Sequence, residues 1–162
     1  MHIYLKKKFL HFNNYKVKCS VGKNGLTKKK IEGDLKTPKG KFKFEYLFYR
    51  KDRIKIIKTK IKKRVIKKNM GWCDEPKSNF YNRLIKFPFK YNAEKLFLKK
   101  KIYDLILVLN YNTKPVIKNK GSAIFLHIAS KKLTPTKGCV AVKKKDLLKI
   151  LEFVTNKTFI YI

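Results

Sequence analysis

The chain has 162 residues, of which 44% are hydrophobic and 14% are aromatic, which is enough to bury the core of one domain. This composition excludes an intrinsically disordered chain, and the three cysteines exclude a small scaffold held together by disulfides. The net charge of +33, from 43 basic and 10 acidic residues, predicts attraction to anionic polymers.

The basic residues are mostly lysines, and they are not gathered in one segment. Apart from four arginines, they are lysines spread from Lys6 to Lys157. Because recognition of bases and phosphates favours the planar guanidinium group of arginine, we expect no specific nucleic-acid partner. We attribute the abundance of lysine to an AT-rich genome. The charge still predicts nonspecific, salt-sensitive binding to anionic polymers or lipids of a cell envelope.

The first twenty residues do not have the pattern of a targeting segment. They contain basic residues at Lys6 to Lys8, but they lack an apolar run of about 7 to 15 residues and a small-residue cleavage site. No stretch of the sequence approaches the roughly 18 apolar residues of a membrane span. We therefore expect neither a secretion signal nor a membrane helix in this sequence, and its localisation stays open.

Short strands separated by turns are predicted for most of the chain. Residues 15–21 read as a strand with Cys19 on its buried face, and the glycine-rich residues 22–25 read as a hairpin-type turn. Residues 41–46 alternate between aromatic and charged side chains, which predicts a half-buried strand. The lysine-rich residues 51–68 have β-branched residues at irregular spacing, and we interpret them as an exposed edge strand or hairpin.

The second half of the chain holds the predicted centre of the sheet. Residues 103–109 and 123–128 are continuous apolar runs that predict two central strands. Residues 139–142 begin another strand, residues 143–154 have the apolar face of a helix, and residues 158–162 form a last strand. The sum is a mainly β, mixed α+β fold in a single domain over residues 1–162.

Residues 122–142 carry the candidate chemistry. His127 lies near the end of one apolar run, and a polar loop leads from it to Cys139 at the start of the next. A cysteine attacks as its thiolate, so its ordinary pKa of roughly 8.5 must be lowered by a base or a positive charge. We expect His127 to be that base.

Gly138, immediately before the cysteine, has no Cβ and lets the backbone turn its N–H groups toward a substrate oxygen. The N–H groups of Gly138 and Cys139 are therefore candidates for an oxyanion hole. The alternative is that His127 is a satisfied core histidine and Cys139 a small buried hydrophobic residue. The joint pattern of the three residues favours catalysis.

This stretch resembles the active site of the L,D-transpeptidase catalytic-domain family, in which a histidine is followed, after a loop, by Ser/Thr-His-Gly-Cys. The corresponding residues are Thr136, Lys137, Gly138 and Cys139. The segment EGDLKTPKGKF at residues 32–42 is similar to the family's Asp-x-x-Thr-Pro-x-Gly-x-Phe block. Further segments resemble a Gram-negative branch of the family: GWCDEP at 71–76, YNR at 81–83 and YDLILVLNYN at 103–112.

The resemblance implies a β-sandwich or barrel-like sheet with a helix after the cysteine strand. It also implies a cysteine acyltransferase that acts on peptidoglycan stem peptides through a thioester on Cys139, without metal or cofactor, in the periplasm or cell envelope. Two open alternatives are a hydrolase of the same fold and a noncatalytic basic module that binds nucleic acid or envelope polyanions. Lys137 replaces the second histidine of most members, and Ala141 replaces an arginine found in many.

A further set of residues is predicted to shape the peptide site, because large or polar side chains in loop-like surroundings are hard to explain by packing alone. The candidates for substrate binding are Thr136, Lys137, Trp72, Asp74, Tyr81, Asn82 and Tyr111. Equally, the aromatic and amide residues among them are suited to fastening long loops to the core. The sequence does not specify an oligomeric state.

Overall fold

The computed structural model describes residues 1–162, which fold into fourteen strands and one α-helix, α1, at Lys144–Phe153. The strands are β1 (Ile3–Lys6), β2 (Phe9–Phe12), β3 (Tyr15–Ser20), β4 (Leu26–Thr27), β5 (Thr37–Pro38), β6 (Lys41–Tyr49), β7 (Lys63–Val65), β8 (Met70–Cys73), β9 (Leu84–Lys86), β10 (Ala93–Lys95), β11 (Leu105–Leu109), β12 (Phe125–Ile128), β13 (Val140–Val142) and β14 (Phe159–Tyr161). A single 3-10 turn covers Lys101–Tyr103. None of the helices has the length and apolar character needed to cross a membrane.

The main sheet closes on itself. Its strand order is β11-β12-β13-β3-β2-β1-β14-β6-β7, and β6 also pairs with β11, so that eight strands form a closed barrel-like sheet with β7 at an edge. Two small sheets accompany it: one has the order β10-β8-β9, and the other pairs β4 with β5. The predicted mainly β, barrel-like fold with a helix after the cysteine strand is confirmed.

The central strands are buried on both faces, which explains their continuous apolar sequences. In β11, Leu105 and Leu107 belong to the inner core, while Ile106 and Val108 belong to a second apolar cluster outside the barrel. Alternate residues of a strand point to opposite faces, so burying both faces requires apolar residues at every position. Trp72 of β8 packs against this outer cluster, and the small sheet therefore covers the outer face.

The helix packs one apolar face into the inner core. Leu147, Ile150 and Leu151 are fully buried there, and each contributes about 1.5 to 3 kcal/mol by leaving water. The helix begins after Lys143 without a side-chain cap and ends where the backbone N–H of Val154 donates to Ile150 O. The predicted helix is confirmed, one residue shorter at each end.

Some local predictions differ from the structure. Of the two forms predicted for residues 51–68, the exposed edge strand is present as β7, which pairs parallel to β6 at the sheet edge, whereas the hairpin is absent. Ile54, Ile61 and Ile66 are buried and anchor the irregular remainder, so their uneven spacing reflects separate contacts with the core. The turn at residues 22–25 exists but joins no hairpin, because β4 pairs parallel to β5. Strands β1 and β2 were not predicted.

Candidate active site

The register of two neighbouring strands brings the predicted base and nucleophile to one face of the sheet. Strands β12 and β13 are parallel, and His127 lies opposite Ala141. Cys139 immediately precedes β13 and is two residues from Ala141, so both face the same side. Val140 and Val142 face the other way, into the inner core. The imidazole and the thiol are therefore diagonal neighbours on the outer face.

A cavity of about 570 Å³ opens over this face, a volume typical of small-ligand sites. Residues from both motif blocks, from β10 and from the loop before β12 contribute to its lining. The polar and charged residues of the lining include Lys30, Glu32, Asp74, Glu94, Tyr103, Ser122, His127, Thr136, Lys137 and Cys139. The chain segments that carried the resemblance thus meet around one site.

Thr136 holds the turn that delivers the cysteine. Its hydroxyl donates to Cys139 O at 2.6 Å and accepts from the backbone N–H of Gly138 at 3.1 Å. Its own backbone N–H donates to Val21 O at 2.9 Å, which ties the turn to the chain after β3. Of the two predicted oxyanion donors, the N–H of Gly138 is therefore engaged, whereas the N–H of Cys139 donates to no backbone carbonyl.

Gly138 cannot be replaced by a residue with a side chain without strain. Its φ of +147° is one that L residues rarely adopt, and a Cβ would lie 3.0 Å from Lys36 O. The first motif block is therefore packed directly against the nucleophile loop. A hydrogen bond from Gly22 N–H to Thr37 Oγ1, at 2.8 Å, fixes the same junction from the other side.

The thiol of Cys139 is protonated at neutral pH. It donates to Ala123 O at 3.0 Å and accepts from the backbone N–H of Phe125 at 3.4 Å. Burial raises its pKa to about 12, and the nearby Glu94 carboxylate adds to the rise. His127 is not among the groups that shift this pKa, so the expectation that His127 activates the thiol stays a prediction.

The imidazole of His127 is neutral at the same pH. Burial lowers its pKa to about 4, although the carbonyls of Ile128 and Ile102 oppose the shift. Its Nδ1 lies 2.9 Å from Ile128 O and must donate there, because a carbonyl only accepts. In this tautomer Nε2 is the ring nitrogen that can accept a proton. The Tyr103 ring meets the imidazole edge to face, with centroids 5.2 Å apart.

The candidate substrate residues fall into two groups. Thr136, Lys137 and Asp74 line the cavity, whereas Trp72, Tyr81, Asn82 and Tyr111 do not. Trp72 Nε1–H donates to Asn82 Oδ1 at 2.9 Å, and Asn82 Nδ2 donates to Tyr111 O at 3.1 Å. The second group thus fastens two loops to β8, which is the alternative role that the sequence left open.

Several lining residues were missed by sequence reasoning, among them Lys30, Glu32, Glu94 and Ser122. Glu32 stood inside a recognised motif block, and an acidic residue in so basic a chain was a signal that could have been used. Its carboxylate accepts from Tyr81 OH at 2.6 Å, and Glu94 accepts from Tyr103 OH at the same distance. Lys30 is buried in an ion pair with Asp34. Nothing in the local sequence marks Glu94 or Ser122.

The family model YkuD, described as the L,D-transpeptidase catalytic domain, matches residues 3–162. No curated protein and no solved structure matches the chain significantly.

Proposed function

The chain belongs to the family of L,D-transpeptidase catalytic domains, and from this membership we propose that it is a cysteine acyltransferase acting on peptidoglycan stem peptides. The observation that carries the proposal is the convergence of Cys139, His127 and both motif blocks on one cavity. Such an enzyme would serve cell wall organisation and cell shape, and its substrate would place it in the periplasm or cell envelope.

In the acylation step, Cys139 Sγ attacks the stem-peptide carbonyl that precedes the terminal D-residue. His127 Nε2 takes the thiol proton during the attack, as a general base starting from a neutral pair. The N–H of Cys139 donates to the oxyanion, and the N–H of Gly138 joins it by exchanging Thr136 for the substrate oxygen. The imidazolium then protonates the departing amine, which leaves a thioester on Sγ.

The thioester is resolved by a second nucleophile. An amine forms a new peptide bond, which makes a crosslink or attaches an amino acid or a protein. Water instead gives the shortened stem peptide, and the enzyme would then be a carboxypeptidase of the same fold. In either case, the C–S bond breaks and the thiol regains its proton, so the chemistry needs neither a metal nor an organic cofactor.

The competing proposal is a noncatalytic basic module that binds nucleic acid or an envelope polyanion. It is favoured by the net charge of +33. Only four ion pairs neutralise basic side chains, so most lysines remain free to attract anions.

A mass measurement separates the two proposals. Incubation with a tetrapeptide stem should add an acyl group to the protein, and peptide mapping should place it on Cys139. Cys139→Ala should abolish the adduct with the fold retained, because only a thiol can form the thioester. Cys19→Ala is the matched control, since it removes another buried thiol and should keep the adduct. An adduct that survives in Cys139→Ala, or no adduct in the parent protein, would contradict the assignment.

A further inference from the structure

The cavity around Cys139 gathers three carboxylates in a chain that is otherwise strongly basic, beside three lysines, Lys30, Lys100 and Lys137. Glu32, Asp74 and Glu94 line it, so three of the chain's 10 acidic residues lie in one place. They come from three separate segments: the first motif block, the loop after β8, and β10. A surface charge bias does not explain this clustering, because the rest of the protein has the opposite sign.

The lining also contains two buried oxygen atoms without hydrogen-bond partners. They are Asp74 Oδ1 and Ser122 Oγ. Ser122 is only 7% exposed. An unsatisfied buried polar group costs about 1 to 3 kcal/mol, and a charged oxygen costs more, so such atoms in a cavity indicate a missing donor. Asp74 Oδ1 in its charged form only accepts hydrogen bonds, and Ser122 Oγ can accept as well as donate, so a ligand that carries N–H donors would satisfy both.

None of the three carboxylates forms an ion pair within the protein. The four ion pairs of the structure use Asp34, Asp52, Asp104 and Glu152, none of which lines the cavity.

Glu32 and Glu94 each accept a hydrogen bond from a tyrosine hydroxyl. These hydroxyls are neutral, so they do not balance the negative charge of the carboxylates. Burial raises the pKa of Asp74 and of Glu94, and the Glu32 carboxylate adds to both shifts. Lys137 opposes both shifts, but its side chain is exposed. A cation that paired directly with these carboxylates would therefore stabilise their charged forms.

We propose that Glu32, Asp74 and Glu94 form an anionic subsite next to Cys139 that binds an ammonium group of the substrate. The proposal rests on the proposed acyltransferase function and adds a recognition element to it. The ammonium group belongs either to the stem peptide that acylates Cys139 or to the amine that resolves the thioester.

If the bound ammonium group belongs to the amine that attacks the thioester, both of the protons that it must lose have an acceptor. A subsite carboxylate takes one proton from the ammonium, and the freed amine attacks the thioester carbonyl. As the new C–N bond forms and the C–S bond breaks, the second proton passes through His127 to Sγ.

The first experiment tests binding without requiring turnover. The melting temperature of the protein is measured with rising concentrations of 1,5-diaminopentane dihydrochloride, against sodium chloride of matched ionic strength. Because a net charge of +33 repels cations, a saturable effect must come from a local site. We expect the diamine to raise the melting temperature by about 2 to 4 °C more than sodium chloride does.

Two variants and a control locate the effect. Asp74→Asn and Glu94→Gln preserve shape and should each lose the response to the diamine. Glu152→Gln removes one negative charge from the exposed face of α1 and should keep it. The subsite is overturned if the parent responds equally to both salts, or if both cavity variants respond like the parent.

The second experiment identifies the source of the ammonium group. Two tetrapeptide stems that differ only in lysine or norleucine at the third residue are compared for their rate of acylation of Cys139. If the donor supplies the group, the lysine peptide reacts about tenfold faster in the parent but not in Asp74→Asn. If the acceptor supplies it, both peptides acylate equally, and Asp74→Asn lowers the ratio of aminolysis by glycinamide to hydrolysis.

No difference in either comparison would overturn the subsite. Binding of the diamine without any acylation would instead refute the acyltransferase function and leave the subsite standing.

Discussion

At the scale of single residues, the main finding is the protonation state of the candidate pair. Both Cys139 and His127 are neutral at physiological pH, because burial penalises the charged form of each. A thiolate held in advance by an imidazolium is therefore not the state of this pair. In the mechanism that we propose, proton transfer from Sγ to Nε2 accompanies the attack on the substrate, when the developing oxyanion meets its donor.

Because both groups are neutral, His127→Ala should slow acylation without changing the pH dependence of thiol labelling. Acylation of Cys139 by a stem peptide should slow by about 10²-fold to 10⁴-fold, which is the usual contribution of a general base. The pH dependence of iodoacetamide labelling at Cys139 should stay unchanged, because burial and Glu94 raise the thiol pKa while His127 does not lower it.

His11→Ala is the control for His127→Ala, since His11 lies in β2 and does not line the cavity. A labelling curve that moves to higher pH in His127→Ala would show instead that the imidazole stabilises the thiolate.

At the scale of elements, the turn before β13 decides where the nucleophile lies. Thr136 binds the backbone on both sides of Gly138, and Gly138 packs against Lys36 O of the first motif block. The two motif blocks therefore act as one structural unit, although they lie far apart in the sequence. A change in this turn should affect folding and chemistry together.

Gly138→Ala tests that unit. An alanine here would have an unfavourable φ, and its Cβ would lie close to Lys36 O. We therefore expect the free energy of unfolding to fall by about 1 to 3 kcal/mol and the acylation of Cys139 to slow. Gly25→Ala is the matched control, because Gly25 has a φ of +82° but a Cβ there would meet nothing within 4 Å. Urea unfolding of both variants measures the difference, and equal losses would refute the packing argument.

At the scale of the whole molecule, a closed sheet supports a core on each of its faces. The inner core holds the apolar face of α1, and the outer cluster contains Cys139 itself. Burial of the site is thus a consequence of the architecture, and the pKa shifts of its residues become part of the stability of the fold.

The pH dependence of stability follows from the His127 shift. Its pKa falls from 6.5 to about 4 on folding, so the unfolded chain binds the proton more readily between these values. The contribution of neutral His127 to the free energy of unfolding is therefore fully present above pH 6.5 and is lost as the pH falls toward 4. At about 1.4 kcal/mol per pKa unit, the loss reaches roughly 3 kcal/mol. Urea unfolding of the parent and of His127→Gln, which does not titrate, isolates this contribution; parallel pH profiles would contradict it.

The sequence by itself determined the elements whose signal is local. Strands β11 and β12 are continuous apolar runs because both of their faces are buried, and α1 shows its apolar face at helical spacing. The motif residues were readable for the same reason, since a histidine and a glycine-cysteine pair are recognisable in sequence. Their meeting in one cavity depends on the parallel pairing of β12 with β13.

Only the tertiary structure decided the state of the site and the course of the irregular segments. The thiol pKa depends on burial and on Glu94, which is distant in sequence and belongs to a different sheet. The three carboxylates of the lining likewise come from three distant segments, and the buried isoleucines of residues 51–68 follow contacts with the core, not a strand or helix period. Hydration and electrostatic energy depend on distances through space, and these exist only once the chain has folded.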